Sequence, residues 1–424
     1  MTEPLTKPHP FRLKTGTQHG LRGVLARPAR LVQTGSQVAL GVEIQSGCEP
    51  GASCFGARRR QTGEVVAHEV QTRGGGEASP CATDARRLDA TGGERQDRFR
   101  QALQAALGAL WLLDGLLQLQ PYMFERGSNG LLGPLAQNAM GSPSNPYNIV
   151  ESHLVLLFHA YQLPANLTAA LVQLAIGVAI LDGALARRPG LLRAGLAISL
   201  PWACVVWAFG EAFGGMIYPQ ASMLVGAPGA AVVYALLACV LWPRSDTRRV
   251  RLPRGRFADT GNAASSPGLL PGAWPYVLWA AVWDGTALLY VQYGNRAPDA
   301  LAAIVRSGAI GEPGWLGGLA RAAADLFDGR GLFAALLLAF LQLAIGQAAL
   351  SPRTRRAALA LGIGVSLLFW VVGQTLGGVL TGTATDPNLG PLMVLYALAL
   401  WPRTGTAGAG TMAEAPLPGV STLP

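Results

Sequence analysis

Beyond residue 100 the chain is dominated by apolar runs of about twenty residues, the length that carries a helix across about 30 Å of hydrocarbon at about 1.5 Å per residue. A helix satisfies its own backbone polar groups and lipid offers them nothing, so runs of this kind select a helical bundle. Half the residues are apolar and 13% are charged. The pattern predicts an all-α integral membrane protein with eight transmembrane helices, near 101–120, 164–186, 191–212, 226–242, 273–293, 331–350, 357–376 and 388–401.

The eight runs read as a duplicated four. GALWLLDGLLQLQ (108–120) is answered by LWAAVWDGTALLYVQ (278–292), and QLAIG occurs at Gln173–Gly177 and Gln342–Gly346. VVWAFGEAFGG (205–215) is matched by LFWVVGQTLGG (368–378), and VVYALLACVLWPR (232–244) by VLYALALWPR (394–403) with a gap of three. Each half then has an even number of spans, which makes the repeats parallel about an axis along the membrane normal.

Arginine asymmetry orients the bundle. Arg95, Arg98 and Arg100 precede the first span, Arg187, Arg188 and Arg193 follow the second, and Arg244 to Arg256 fill the centre. Arg353, Arg355 and Arg356 follow the sixth span and Arg403 closes the eighth. Both termini are therefore expected in the cytoplasm, and the protein in the cell membrane. The expected organisation is a disordered tail (1–98), a first membrane repeat (99–244), a basic cytoplasmic linker (245–272), a second membrane repeat (273–403) and a disordered tail (404–424).

The formal charge of +9 is nearly all arginine, since only Lys7 and Lys14 are lysines, and no basic face interleaves with aromatics. Nucleic-acid binding is excluded on that ground; the expected partner is the lipid bilayer. Cys48, Cys54, Cys81, Cys204 and Cys239 form no C-x-x-C or zinc spacing, so no metal centre is expected. No histidine falls in a span, which argues against a transmembrane haem held by two histidines. No P-loop, nucleophile elbow or H-E-x-x-H occurs.

Ionisable and amide groups inside the spans carry the functional reading, because each is costly in lipid. Asp114 and Gln173 both lie about 21 Å above the inner edge by helical rise, Asp284 about 15 Å and Gln342 about 16 Å. Each acid thus shares a depth with an amide on the next helix. Glu211 and its counterpart Gln374 lie about 27 Å up, near the outer mouth. A carboxyl in low dielectric favours its neutral form, so a site of this kind suits proton relay, cation binding, or a quinone or sterol-like head group. The structural alternative is a protonated acid bonded to an amide as interhelical glue. Gly210-x-x-x-Gly214 and Gly373-x-x-x-Gly377 read as close-packing motifs. Gln118 shares the Asp114 stripe.

Two long outward connections read as amphipathic helices on the outer interface. In 315–328, Trp315, Leu316, Leu319, Ala323, Leu326 and Phe327 form one face. In 149–162, Glu151, Ser152, His159 and Gln162 share a narrow polar face, with Glu151 about 12 Å along the axis from His159, too far for one ion.

Each half resembles the four-helix unit of the DoxX/DoxD-like membrane proteins. The resemblance rests on Asp114-Gly115 and Asp284-Gly285 in the first helix, on Gln173-x-x-x-Gly177 and Gln342-x-x-x-Gly346 in the second, and on the short basic turn that follows. It implies a quinone-associated or accessory subunit of a membrane redox system, with quinone as cofactor and a redox partner protein carrying the electrons. Composition and patterning alone leave open a small-solute or proton-coupled transporter and a structural membrane scaffold.

The tail up to residue 98 lacks apolar periodicity, and the first methionine after Met1 is Met123, inside which start the first span would be lost. A native start at a non-AUG codon for Val65, Val66, Val70 or Leu88 is expected. Intact-mass measurement of the native protein tests this, and a full-length mass would refute it.

Overall fold

The computed structural model describes residues 55–59, 65–69, 80–125, 129–133, 147–243 and 269–402. Residues Met1–Ser79 and Pro80–Pro424 form two separate units. In the first, β1 (Phe55–Arg59) pairs antiparallel with β2 (Val65–Glu69), Phe55 opposite Glu69 and Arg59 opposite Val65. The β-branched Val65 and Val66 suit a strand.

The second unit is helical throughout its described residues. Its elements are α1 (Pro80–Leu117), α2 (Tyr147–Leu185), α3 (Pro189–Val205), α4 (Ala230–Val240), α5 (Trp274–Leu289), α6 (Ala300–Gly308), α7 (Gly314–Phe327), α8 (Gly331–Leu350), α9 (Arg355–Val372) and α10 (Leu389–Ala399). The β1–β2 hairpin and the start of α1 at Pro80 both fall within 1–98; proline suits a first helical turn, whose N–H has no partner to lose. The linker and the C-terminal tail lie outside the described residues, apart from 269–272.

Four helical stretches are long and apolar enough to cross a membrane: Tyr147–Leu185, Pro189–Gly210, Gly331–Leu350 and Arg355–Thr381. Their outward faces carry exposed apolar stripes, such as Leu163, Leu167 and Leu171 on α2 and Phe333, Leu337 and Phe340 on α8. Stripes of that extent suit lipid and not water.

The helices pack in chain order: α1 on α2, α2 on α3 and α3 on α4, then α5 on α8, α8 on α9 and α9 on α10. The short α4 and α10 lie against each other at the centre, with most of their residues buried. Glycines bring α1 and α2 close. A Cβ on Gly177 would stand 2.7 Å from the Leu112 nitrogen, and one on Gly108 2.7 Å from that of Leu181.

At eleven residues each, α4 and α10 rise only about 16 Å, about half of a hydrocarbon core. Irregular backbone precedes each of them. After α3 the chain forms one π turn (Val206–Gly210), then reverses through positive φ at Ala212, Phe213, Gly214 and Gly215. After α9 the same happens at Thr375, Leu376, Gly377 and Gly378. Left-handed geometry costs about 1–2 kcal/mol per non-glycine residue, so tertiary contacts must hold these turns. Two indoles do so: Trp207 Nε1 donates to the Pro228 carbonyl and Trp370 Nε1 to that of Pro387, both at 2.7 Å.

Those reversals revise the glycine reading. Gly214 and Gly377 have left the helix and sit in the turns, Gly214 against the Pro228 carbonyl and Gly377 against that of Pro387. Gly373 is the close-packed one, because a Cβ there would meet the Leu224 carbonyl oxygen at 2.1 Å.

The outer connections also differ in detail. The segment 149–162 merges with the second span into α2, bent at Tyr161 three residues before Pro164. Glu151 and Gln162 are buried while Ser152 and His159 are exposed, so these four do not share a face. On α7, Leu316, Ala320 and Ala324 face the core, and Trp315, Leu319 and Leu326 face outward, giving two apolar faces in place of one. Arg306 on α6 donates to Asp325 and Asp328 beside α7, each at 2.8 Å, and holds the Asp328 carboxyl below its ordinary range.

Gly373→Ala is expected to destabilise the fold by about 1–3 kcal/mol, since the neighbouring atom is backbone. Gly364→Ala, with nothing within 4 Å of the added methyl, should be neutral or gain up to about 1 kcal/mol. Thermal melts in detergent compare the two.

Candidate functional site

A cavity of about 600 Å³ opens between α1, α2, α3 and α4, in the size range of small-molecule sites. From α1 it takes Trp111, Asp114 and Gln118, three residues on one face at steps of three and four. Gln173, Phe158 and Tyr161 come from α2, Trp202 from α3, Phe209 and Glu211 from the π turn and its end, and Tyr234 from α4. Thr385 and Asp386, from the loop before α10, complete the wall. The structure thus places Asp114, Gln118, Gln173 and Glu211 around one cavity.

Asp114, Gln118 and Gln173 are 2%, 6% and 5% exposed, yet Asp114 Oδ1, Gln118 Oε1 and Gln173 Oε1 have no hydrogen-bond partner. The indole N–H groups of Trp111 and Trp202 are unpartnered as well. The Tyr234 hydroxyl stands beside the Asp114 carboxyl at a geometry too poor to satisfy either group. Trp111 and Tyr234 stack, with ring centroids 4.2 Å apart. Buried polar atoms are nearly always paired in folded proteins, so this concentration marks a place prepared for something else.

Glu211 has a structural task too. Its carboxylate accepts from the Ala231 N–H at 3.1 Å, at the start of α4, where an anion also meets the helix dipole favourably. Gly229 makes the approach possible: its φ is +102° and a Cβ there would lie 2.2 Å from Glu211 Oε2. Gln374 does the same for α10, accepting from the Gly390 N–H at 3.1 Å and donating to the Met223 carbonyl at 3.2 Å.

In the second half, Asp284 and Gln342 are not paired with each other. Gln342 Oε1 accepts from Thr286 Oγ1 at 2.9 Å and its Nε2 donates to the Tyr290 hydroxyl at 3.4 Å. Asp284 is only partly buried and accepts from Gln347 Nε2 at 2.6 Å. A shared depth does not fix azimuth, and Asp284 is directed at Gly346 while Thr286 meets Gln342. The same Thr286 Oγ1 that bonds Gln342 also touches Sδ of Met223, which is 1% exposed, at 3.6 Å.

Among the secondary candidates, Glu151 is buried beside Tyr147 and outside the cavity, and His159 is exposed on α2. Among the described residues, no cluster of three or more His, Cys, Asp or Glu could hold a metal. Sequence reasoning missed Asp386 and Tyr234. Tyr234 had a signal, as its match Tyr396 shows a tyrosine in both copies of an apolar run. Asp386 lies in a loop with no acid at the matching place, Ala227, so only the fold reveals it. Burial raises the Asp386 carboxyl above its ordinary range, against hydrogen bonds from the Asn388 N–H and the Thr385 hydroxyl.

Glu211→Ala should cost about 1 kcal/mol by removing the cap of α4, whereas Glu211→Gln, the residue found at 374, should melt close to the parent. Equal losses in the two variants would show that the capping contact does not stabilise α4. No family model matches this chain, and no curated protein or solved structure matches it either.

Proposed function

We propose that the protein is a proton-coupled transporter of a lipid-soluble small molecule, with the Asp114–Gln173 cavity as its binding site. In this reading the chain makes eight spans as two parallel four-helix units of the DoxX/DoxD-like kind, in the cell membrane with both termini cytoplasmic. The observation that carries the functional reading is the cavity itself: buried, unpartnered hydrogen-bonding atoms lie among aromatic walls, and three carboxyls share the space.

Several features favour two units. The order of exposed and buried residues along 107–120 recurs along 279–292, position by position except at Leu113 and Gly285. Gln104 donates to the Leu241 carbonyl at the end of α4, and Tyr276 to the Leu400 carbonyl at the end of α10. This register sets Trp111 against Trp283, Asp114 against Thr286 and Leu112 against Asp284. The Asp-Gly dipeptides are then two residues out of phase, about 200° around the helix. The first unit keeps its acid in the cavity and the second has a hydroxyl already bonded to Gln342. We assign ligand handling to the first unit and scaffolding to the second.

A second reading is a quinone-associated or accessory subunit with a separate redox partner. The unpartnered indole N–H groups of Trp111 and Trp202 favour it, since carbonyl oxygens of a quinone accept such donors.

The test begins with a thermal-shift screen of lipid-soluble compounds, including a short-chain quinone, on the full chain in detergent. Ligands found are then followed in proteoliposomes under an imposed pH gradient. Transport is expected to depend on the gradient and to fall at least tenfold in Asp114→Asn. Unaltered flux in that variant would end the transport reading; loss of thermal stability alone would leave a scaffold.

A further inference from the structure

We propose that the cavity takes a lipophilic organic cation, a compact ammonium- or phosphonium-type centre carried on apolar groups. This rests on the reading of the cavity as a ligand site and adds the ligand's charge. Asp114, Glu211 and Asp386 line the space, and among the described residues that line it none is Arg, Lys or His. The titratable groups that face Asp114 there are these carboxyls and the hydroxyls of Tyr161 and Tyr234. A cation would be balanced by ionisation of these carboxyls, whereas an anionic ligand would find no positive side chain among the described lining residues.

The walls suit a cation as well. Trp111 and Trp202 bring indole rings and Tyr234 a phenol ring to the same space as the acids, and aromatic faces attract organic cations through their quadrupoles. The unpartnered oxygens of Asp114, Gln118 and Gln173 are acceptors, each on a side chain more than nine-tenths buried. A bare metal ion would need three or more clustered ligands, and the described residues provide no such cluster. A bulky ion of diffuse charge fills about 600 Å³ without shedding a tight water shell.

The side of the cavity shows the route. Tyr161 on α2 and Val205 and Phe209 at the end of α3 line it and are 59%, 45% and 38% exposed on the apolar exterior. A lipophilic ion partitioned into a bilayer reaches Asp114 between α2 and α3 without crossing the outer surface. Cation and protons then compete for the same carboxyl oxygens, so loading releases protons.

The test uses the full chain in lipid nanodiscs with tetraphenylphosphonium as probe and tetraphenylborate as its anionic counterpart of matching shape. Saturable phosphonium binding, at least tenfold tighter than borate, is expected. Affinity should strengthen as pH rises from about 6 to about 8, because proton competition weakens. Asp114→Asn should weaken phosphonium binding at least tenfold, and Asp284→Asn, outside the cavity, should leave it unchanged. If Asp114→Asn is not recovered folded, Asp386→Asn, on a loop, is expected to weaken binding and flatten the pH dependence. Equal binding of the two ions, or binding independent of pH, would overturn the proposal. So would Asp114-dependent binding of a neutral quinone without any phosphonium binding, an outcome that leaves the cavity as a ligand site. If neither cation nor quinone binds, the ligand-site reading falls with it.

Discussion

The structure depends on completing two helices that are too short. Both α4 and α10 stand at the centre of the bundle, yet each stops near half the thickness of a hydrocarbon core. The chain before each is irregular, and apolar surroundings tolerate such backbone only where protein satisfies its polar groups. The Trp207 and Trp370 indoles, the Glu211 carboxylate and the Gln374 amide perform that task, each reaching from the end of one helix to the loop or first turn of the next. Positive φ at Ala212, Phe213, Thr375 and Leu376 is the conformational cost of aiming these groups.

The two loops also lock the halves together. The loop before α4 places Met223 and Leu224 against Thr286, Tyr290 and Gly373. The loop before α10 places Ala384 on Gln120 and Asp386 in the wall of the cavity. One loop sets a thioether against Thr286, the partner of Gln342, while the other brings an additional carboxyl to the cavity that Gln173 lines. From this exchange comes the asymmetry between a packed half and an open one. It also ties the cavity to both halves of the chain, since Thr385 and Asp386 complete its wall.

Much of the helical layout was legible because helical period and apolar length are local properties. The run at 331–350 coincides with α8, and 388–401 nearly coincides with α10. The presence of Asp114 and Gln173 in one cavity agrees with their equal rise along the axis, whereas Glu211, higher by the same count, joins them through the fold. Azimuth was not legible in the same way. Matching Asp114-Gly115 to Asp284-Gly285 aligned letters, but two residues of slip turn a helix by about 200°, and Asp284 bonds Gln347 in place of Gln342. Burial likewise was not legible: Glu151 and Gln162 are buried while His159 is exposed.

By itself the sequence determined the helices and the acids placed within their apolar runs, because each follows from spacing along one segment. Tertiary structure decided which acids share a space, which amides are already bonded and which half stays open. Those properties depend on residues far apart in the chain: Asp386 reaches the Asp114 cavity, and Met223 packs on Thr286, which bonds Gln342. No local pattern encodes such meetings, since they arise only when the loops of one half pack into the other.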